Sequence, residues 1–95
     1  MHVTLRSYAG ASALADAMSA KAAEVEQILR GVPGFVAYHA VRDGDNVTTV
    51  TVCQDKTGTD ESTRVAAAWV KENLKQGGIA APRISEGDTF ISFSK

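Results

Sequence analysis

The run Val47-Thr-Thr-Val-Thr-Val-Cys53, entered through Asp43-Gly44-Asp45, constrains this chain more than any other feature. β-Branched residues suit a pleated, half-buried surface. A glycine between two aspartates supplies the positive φ that a tight hairpin turn demands. Upstream, Phe35 to Arg42 is rich in aromatic and β-branched residues and reads as a second strand. The two runs predict an antiparallel hairpin, and the remaining elements must be built around its faces.

Val3 and Leu5 alternate with His2, Thr4 and Arg6, the period of a half-buried strand. Gly10-Ala11 ends it, and Ser12 is a good helix N-cap. Leu14, Met18, Val25, Ile28 and Leu29 recur at three- and four-residue steps, which predicts one amphipathic helix of about five turns. Gly31 and Pro33 stop it. After the hairpin, Thr57-Gly58-Thr59-Asp60 caps a second helix with Val65, Ala66, Trp69, Val70 and Leu74 on its apolar side and Gly77-Gly78 at its end. Thr89 to Ser94, with Phe90, Ile91 and Phe93, reads as the last strand.

The order β-α-β-β-α-β predicts an α+β, ferredoxin-like fold, a four-stranded antiparallel sheet with two helices on one face. Residues 1–95 are expected to form a single domain, because a chain of this length has room for one core. Apolar residues fall on both parities of the strand at Phe35–Val41, whereas helices cover one side only. An open apolar sheet face marks an interface, so a homodimer formed through that face is expected.

Composition excludes several classes of partner. Ten basic residues stand against eleven acidic ones, without a basic run to track phosphates, which argues against nucleic acid and against an anionic membrane surface. No stretch is long enough to span a bilayer, and the first twenty residues do not read as a secretory signal. Cys53 is the only cysteine, so no internal disulfide forms and a cytoplasmic location is expected. One cysteine and two distant histidines have no metal-ligand spacing, and Gly77-Gly78 follows a helix instead of opening one as a phosphate loop would. No metal or cofactor is therefore predicted.

Pro33-Gly34-Phe35 after a helix, the hairpin from Tyr38 to Val52, and Trp69 on the next helix together resemble the dimeric α/β-barrel superfamily. Within it, the chain resembles the antibiotic-biosynthesis-monooxygenase-like domains. The resemblance covers nearly the whole chain. It implies a ferredoxin-like subunit whose sheet packs against a second copy, with a small aromatic or apolar ligand held between helices and sheet. Relatives include cofactor-free oxygenases, isomerases and haem-degrading enzymes. Haem-degrading relatives carry a histidine in or just beyond the second helix, where this chain has Ile79 and Ala80 and no histidine follows His39.

Candidate site residues follow. His39 shares strand parity with Phe35, Ala37 and Val41; on the helix-covered face it is placed to act as a base. The alternative is a core or interface histidine, since no carboxylate stands nearby to orient it. Phe35 is expected in a ligand pocket, and Trp69 either lines that pocket or fills the core. Asn73, one turn beyond Trp69, reaches into that pocket or meets solvent. Arg6 and Tyr8 share a face with Thr4 and suit an anionic or phenolic ligand, or else decorate an exposed edge. Tyr38 falls opposite His39, on the interface side. Cys53 lacks the basic neighbours that activate a thiol. Two functions remain open: a cofactor-independent monooxygenase-like enzyme, and a non-catalytic dimeric ligand-binding or stress-response module.

Overall fold

The computed structural model describes residues 1–74 and 79–95. Strand β1 (His2–Tyr8) is followed by helices α1 (Ser12–Ala20) and α2 (Ala22–Arg30), the hairpin β2 (Phe35–Asp43) and β3 (Asn46–Cys53), helix α3 (Lys56–Asn73) and strand β4 (Arg83–Asp88). The sheet is antiparallel with order β2-β3-β1-β4. The predicted α+β, ferredoxin-like architecture is thus present, with three helices in place of two.

The extra helix comes from a break in the predicted five-turn helix. Lys21 leaves helical geometry (φ −119, ψ 33), its N–H still bonded to the Ala17 carbonyl at 3.1 Å while its own carbonyl accepts from Val25 at 3.0 Å. Neither glycine nor proline causes the break; it lets α1 lie on β3 while α2 packs on β2 and α3. The Lys21 ammonium donates to Asn73 Oδ1 at 2.5 Å and pins the bend to the end of α3.

Two caps also differ from expectation. Ser12 is the first residue of α1, not its cap, and its hydroxyl donates 2.6 Å to Asp45 in the hairpin turn. Helix α3 starts a turn earlier than predicted: Asp55 is the N-cap, accepting the Gly58 N–H at 3.4 Å. This start is possible only because residue 58 is glycine. A Cβ there would collide with the Pro33 carbonyl oxygen and the Cys53 side chain. The expected helix stop at Gly77-Gly78 lies outside the described residues.

The hairpin turn forms at Gly44 (φ 58) as predicted, with Asp43 paired to Asn46. The last strand does not lie where its apolar residues suggested. Arg83–Asp88, entirely exposed, pairs with β1, and Thr89 adds one more bond to the Met1 carbonyl at 2.8 Å. Phe90, Ile91 and Phe93 stand beyond it, 92%, 67% and 91% exposed. An edge strand here is held by its backbone ladder with β1, so its side chains need not be apolar.

Helices cover the face bearing His2, Thr4, Arg6 and Tyr8 of β1 and Val47, Thr49, Thr51 and Cys53 of β3, all of them buried. The apolar parity of β1, Val3 and Leu5, faces outward. The strand's buried side is therefore its polar side, contrary to the usual reading of such a pattern. Val3, Leu5, Ala37, Val41, Val50 and Val52 share the uncovered face. Among the described residues, no helix is long and apolar enough to cross a membrane.

Candidate functional site between helices and sheet

An irregularity in β2 decides which side chains reach the site. Phe35 pairs with Cys53 and Ala37 with Val52, so Val36 is an extra residue, a β-bulge. A bulge shifts the alternation by one. Downstream, Tyr38 is opposite Thr51 on the helix-covered face, whereas His39 is opposite Val50 on the outer face and exposed. The parity expectation is therefore corrected: His39, Ala37 and Val41 do not share a face with Phe35, and Tyr38 does.

On the covered face, Arg6 is the central group, 1% exposed. Its guanidinium donates to Thr51 Oγ1 at 2.9 Å, Thr63 Oγ1 at 3.1 Å and Ser62 Oγ at 3.3 Å. Strand β1 is interior to the sheet, which removes the reading of Arg6 and Tyr8 as an exposed edge. Tyr8 and Tyr38 flank the arginine. Burial pushes both phenols above their ordinary value of 10.0, and the Arg6 charge pulls them partly back. Trp69 projects from α3 and is buried, its indole N–H without a partner among the described residues.

These residues wall two spaces. A small cavity of about 40 Å³ lies beneath Trp69, bounded by Arg6, Tyr8, Tyr38, Thr49 and the α1–α2 residues Leu14 and Ile28. An open cleft of about 390 Å³ lies between α3 and β4, lined by Arg6, Tyr8, Thr63, Val70, Leu74 and Ile84. Its size is that of a small-molecule site. Arg6, Tyr8 and Val70 form a wall common to both. A third, wider groove of about 610 Å³ follows the outside of α2 along β2, touching Phe35, Tyr38 and His39.

Of the residues singled out from sequence, Arg6, Tyr8 and Trp69 are brought together. Phe35 is half-buried, packed with Leu29, Val32 and Cys53, and borders the wider groove. Asn73 lines neither inner space: its amide donates to the Trp69 carbonyl at 2.9 Å and its oxygen receives Lys21. Tyr38, Thr49 and Thr51 were missed as site residues. The alternation in β3 groups Thr49 with Thr51, but nothing in it says which parity meets the helices. Cys53 is fully buried, and burial raises its thiol pKa above the ordinary 9.0, in keeping with an unreactive side chain. Among the described residues, no group of His, Cys, Asp and Glu is arranged to hold a metal ion.

No protein-family model and no curated protein matches the chain. Solved structures do. A Deinococcus radiodurans protein described as an antibiotic biosynthesis monooxygenase aligns with TM-score 0.73 and 10% identity over 100% of this chain and 98% of its own. A monooxygenase of Streptomyces coelicolor, determined in complex with the ligand nanaomycin D, aligns with TM-score 0.70 and 15% identity over 99% and 91%. A cofactor-independent oxygenase of Streptomyces nogalater aligns with TM-score 0.64 and 14% identity over 99% and 98%. The fold is that of the antibiotic-biosynthesis-monooxygenase domains, a ferredoxin-like α+β class.

Proposed function

We propose that this chain binds a small aromatic ligand between α3 and the sheet and oxidises it with dioxygen without a cofactor, as a dimer joined through the open sheet face. The observation that carries this reading is the convergence of Arg6, Tyr8, Tyr38 and Trp69 on the inner spaces of a fold shared with a cofactor-independent oxygenase and with a ligand-bound monooxygenase. Aromatic walls and a few directed donors are what such a ligand needs. The two phenols are protonated at neutral pH, all the more so because burial raises both pKa values, and can donate hydrogen bonds. The uncovered row of Leu5, Val50 and Val41 supports the dimer, since apolar side chains left in water favour association.

Anthrone is a suitable probe, because its oxidation consumes one O₂ and yields anthraquinone and water. The expected result is oxygen uptake above the spontaneous rate, reduced in Tyr38→Phe. Uptake equal to the spontaneous rate with anthrone and with related hydroquinones removes the catalytic reading.

One observation favours the second reading, a non-catalytic ligand-binding module. The space beneath Trp69 is only about 40 Å³, and the one histidine expected in it faces outward. Saturable binding without turnover selects that reading.

A further inference from the structure

The buried guanidinium of Arg6 has no carboxylate beside it. Its acceptors include the Thr51, Ser62 and Thr63 hydroxyls, and Ser62 and Thr63 give their own protons to the Thr59 carbonyl at 2.7 and 3.2 Å. They turn lone pairs towards the arginine but supply no charge. Among the described residues no ion pair includes Arg6, and Lys75 to Gly78 contain no acidic side chain. Tyr8 and Tyr38 share hydrogen bonds with the guanidinium but do not compensate its charge, because a phenol is neutral well below pH 10 and burial raises both further. A cation withdrawn from water this far is normally paired.

Three buried polar atoms also lack a partner among the described residues: Arg6 Nε, Thr49 Oγ1 and Trp69 Nε1. Their residues are 1%, 3% and 8% exposed, and all three wall the 40 Å³ cavity. Two are N–H donors and the third is a hydroxyl beside the Tyr38 phenol, a group that can also donate. Water fits a space of this size, at roughly 10–15 Å³ per molecule, and would satisfy the hydrogen bonds. It would leave the charge unanswered.

We infer that the space walled by Arg6, Thr49 and Trp69 is an oxyanion subsite, taking the carboxylate or phenolate group of a small organic ligand. This rests on the ligand-binding part of the reading above and does not depend on catalysis. Arg6 supplies the charge, the indole N–H and the Thr49 hydroxyl fix the orientation, and the neutral phenols flank the anion without repelling it. The body of the ligand lies towards the 390 Å³ cleft, with which this cavity shares Arg6, Tyr8 and Val70.

Trp69 is the sole tryptophan, so its fluorescence reads the subsite directly. The full chain is titrated with benzoate, benzamide and phenol at matched ionic strength between pH 6 and 9. Benzoate or phenol is expected to change Trp69 emission saturably. Benzamide, the neutral analogue of benzoate, binds at least about tenfold more weakly than benzoate if the group is a carboxylate, the factor a charge-assisted hydrogen bond supplies. Benzoate affinity independent of pH selects a carboxylate, whereas phenol affinity rising about tenfold per pH unit below its pKa near 10 selects a phenolate. Arg6→Met lowers affinity for the selected anion by a similar factor and leaves benzamide unchanged.

Equal binding of benzoate and benzamide together with pH-independent phenol binding overturns the inference, as does silence towards both anions or undiminished anion binding by Arg6→Met. Should that variant not fold, the wild-type comparison of charged and neutral probes decides alone. Anion binding without oxygen uptake removes the catalytic reading and keeps the subsite. Oxygen uptake with charge-blind binding does the reverse.

Discussion

His2 Nδ1 lies 2.6 Å from Thr59 Oγ1, joining the first residue of β1 to the first turn of α3 inside the protein. The hydroxyl donates to the Lys56 carbonyl at 3.2 Å, which leaves its oxygen to accept the imidazole N–H. On the other side of the ring, Nε2 is 3.5 Å from Glu86 of β4, and Glu86 also receives Lys56 at 3.1 Å. One buried histidine therefore ties β1, α3 and β4 together at a single corner.

Replacing Thr59 by valine keeps the shape and removes the acceptor, leaving the His2 N–H without a partner. Thermal unfolding should show a loss of about 1–3 kcal/mol, the usual effect of orphaning a buried donor. Thr59→Ser should retain most of the stability. An unchanged melting temperature in Thr59→Val would mean that the contact contributes nothing.

Gly58→Ala should destabilise through its methyl group alone. The new Cβ meets backbone at Pro33 and the fixed side chain of Cys53, neither of which can swing aside. Overpacking of this kind costs about 1–3 kcal/mol, and for a chain this short each kcal/mol lowers Tm by about 4–8 °C. Gly87→Ala, where no atom lies within contact distance, is the control.

Alkaline pH should weaken the fold in a defined window. Tyr8, Tyr38 and Cys53 all have pKa values raised above their ordinary 10.0, 10.0 and 9.0, first of all by burial. For groups shifted upward, the native state keeps protons that the unfolded chain has already released, so stability falls as pH rises. The loss begins near pH 9, where an unfolded thiol ionises, and deepens above pH 10 with the phenols. Tyr8 and Tyr38 are the only tyrosines, so an ultraviolet titration resolves them, and both should ionise late, together with unfolding. Tyrosines titrating at 10 in the folded protein would contradict this.

Val50→Asp should turn the proposed dimer into a monomer. Val50 sits mid-strand on the open face between His39 and Leu5, so a carboxylate there meets its counterpart across a sheet-to-sheet contact. Light scattering after size exclusion gives the mass of each. A wild-type monomer, or a variant that still dimerises, would remove the sheet face as the interface.

Much of this architecture is legible in the chain. The Asp43-Gly44-Asp45 turn, the threonine-valine strand after it and the apolar side of α3 with Trp69 all lie where local chemistry puts them. The site was harder to read. Thr4 and Arg6 look like an exposed parity because buried polar residues are rare, yet here hydroxyls from β3 and α3 receive the Arg6 guanidinium. The break at Lys21 carries no glycine or proline to announce it. Thr89 to Ser94 hold the apolar pattern of a strand, but the pairing went to Arg83–Asp88, whose selection depends on register with β1 and not on its own side chains.

The extra residue at Val36 reaches further than its own position. Because every later side chain of β2 takes its side from it, the strand carries two latent faces: one offers a phenol inward, the other an imidazole. Deleting it would leave Tyr38 opposite Thr51, but moving the bulge from Val36 to beyond His39 would pair His39 with Thr49 and Tyr38 with Val50, exchanging the two beside Arg6 with no substitution at either position. In a fold that hosts several chemistries, a shift of a few residues in where this strand bulges can change the reactive inventory of the pocket wholesale, and a comparison of aligned site residues between relatives would not reveal it.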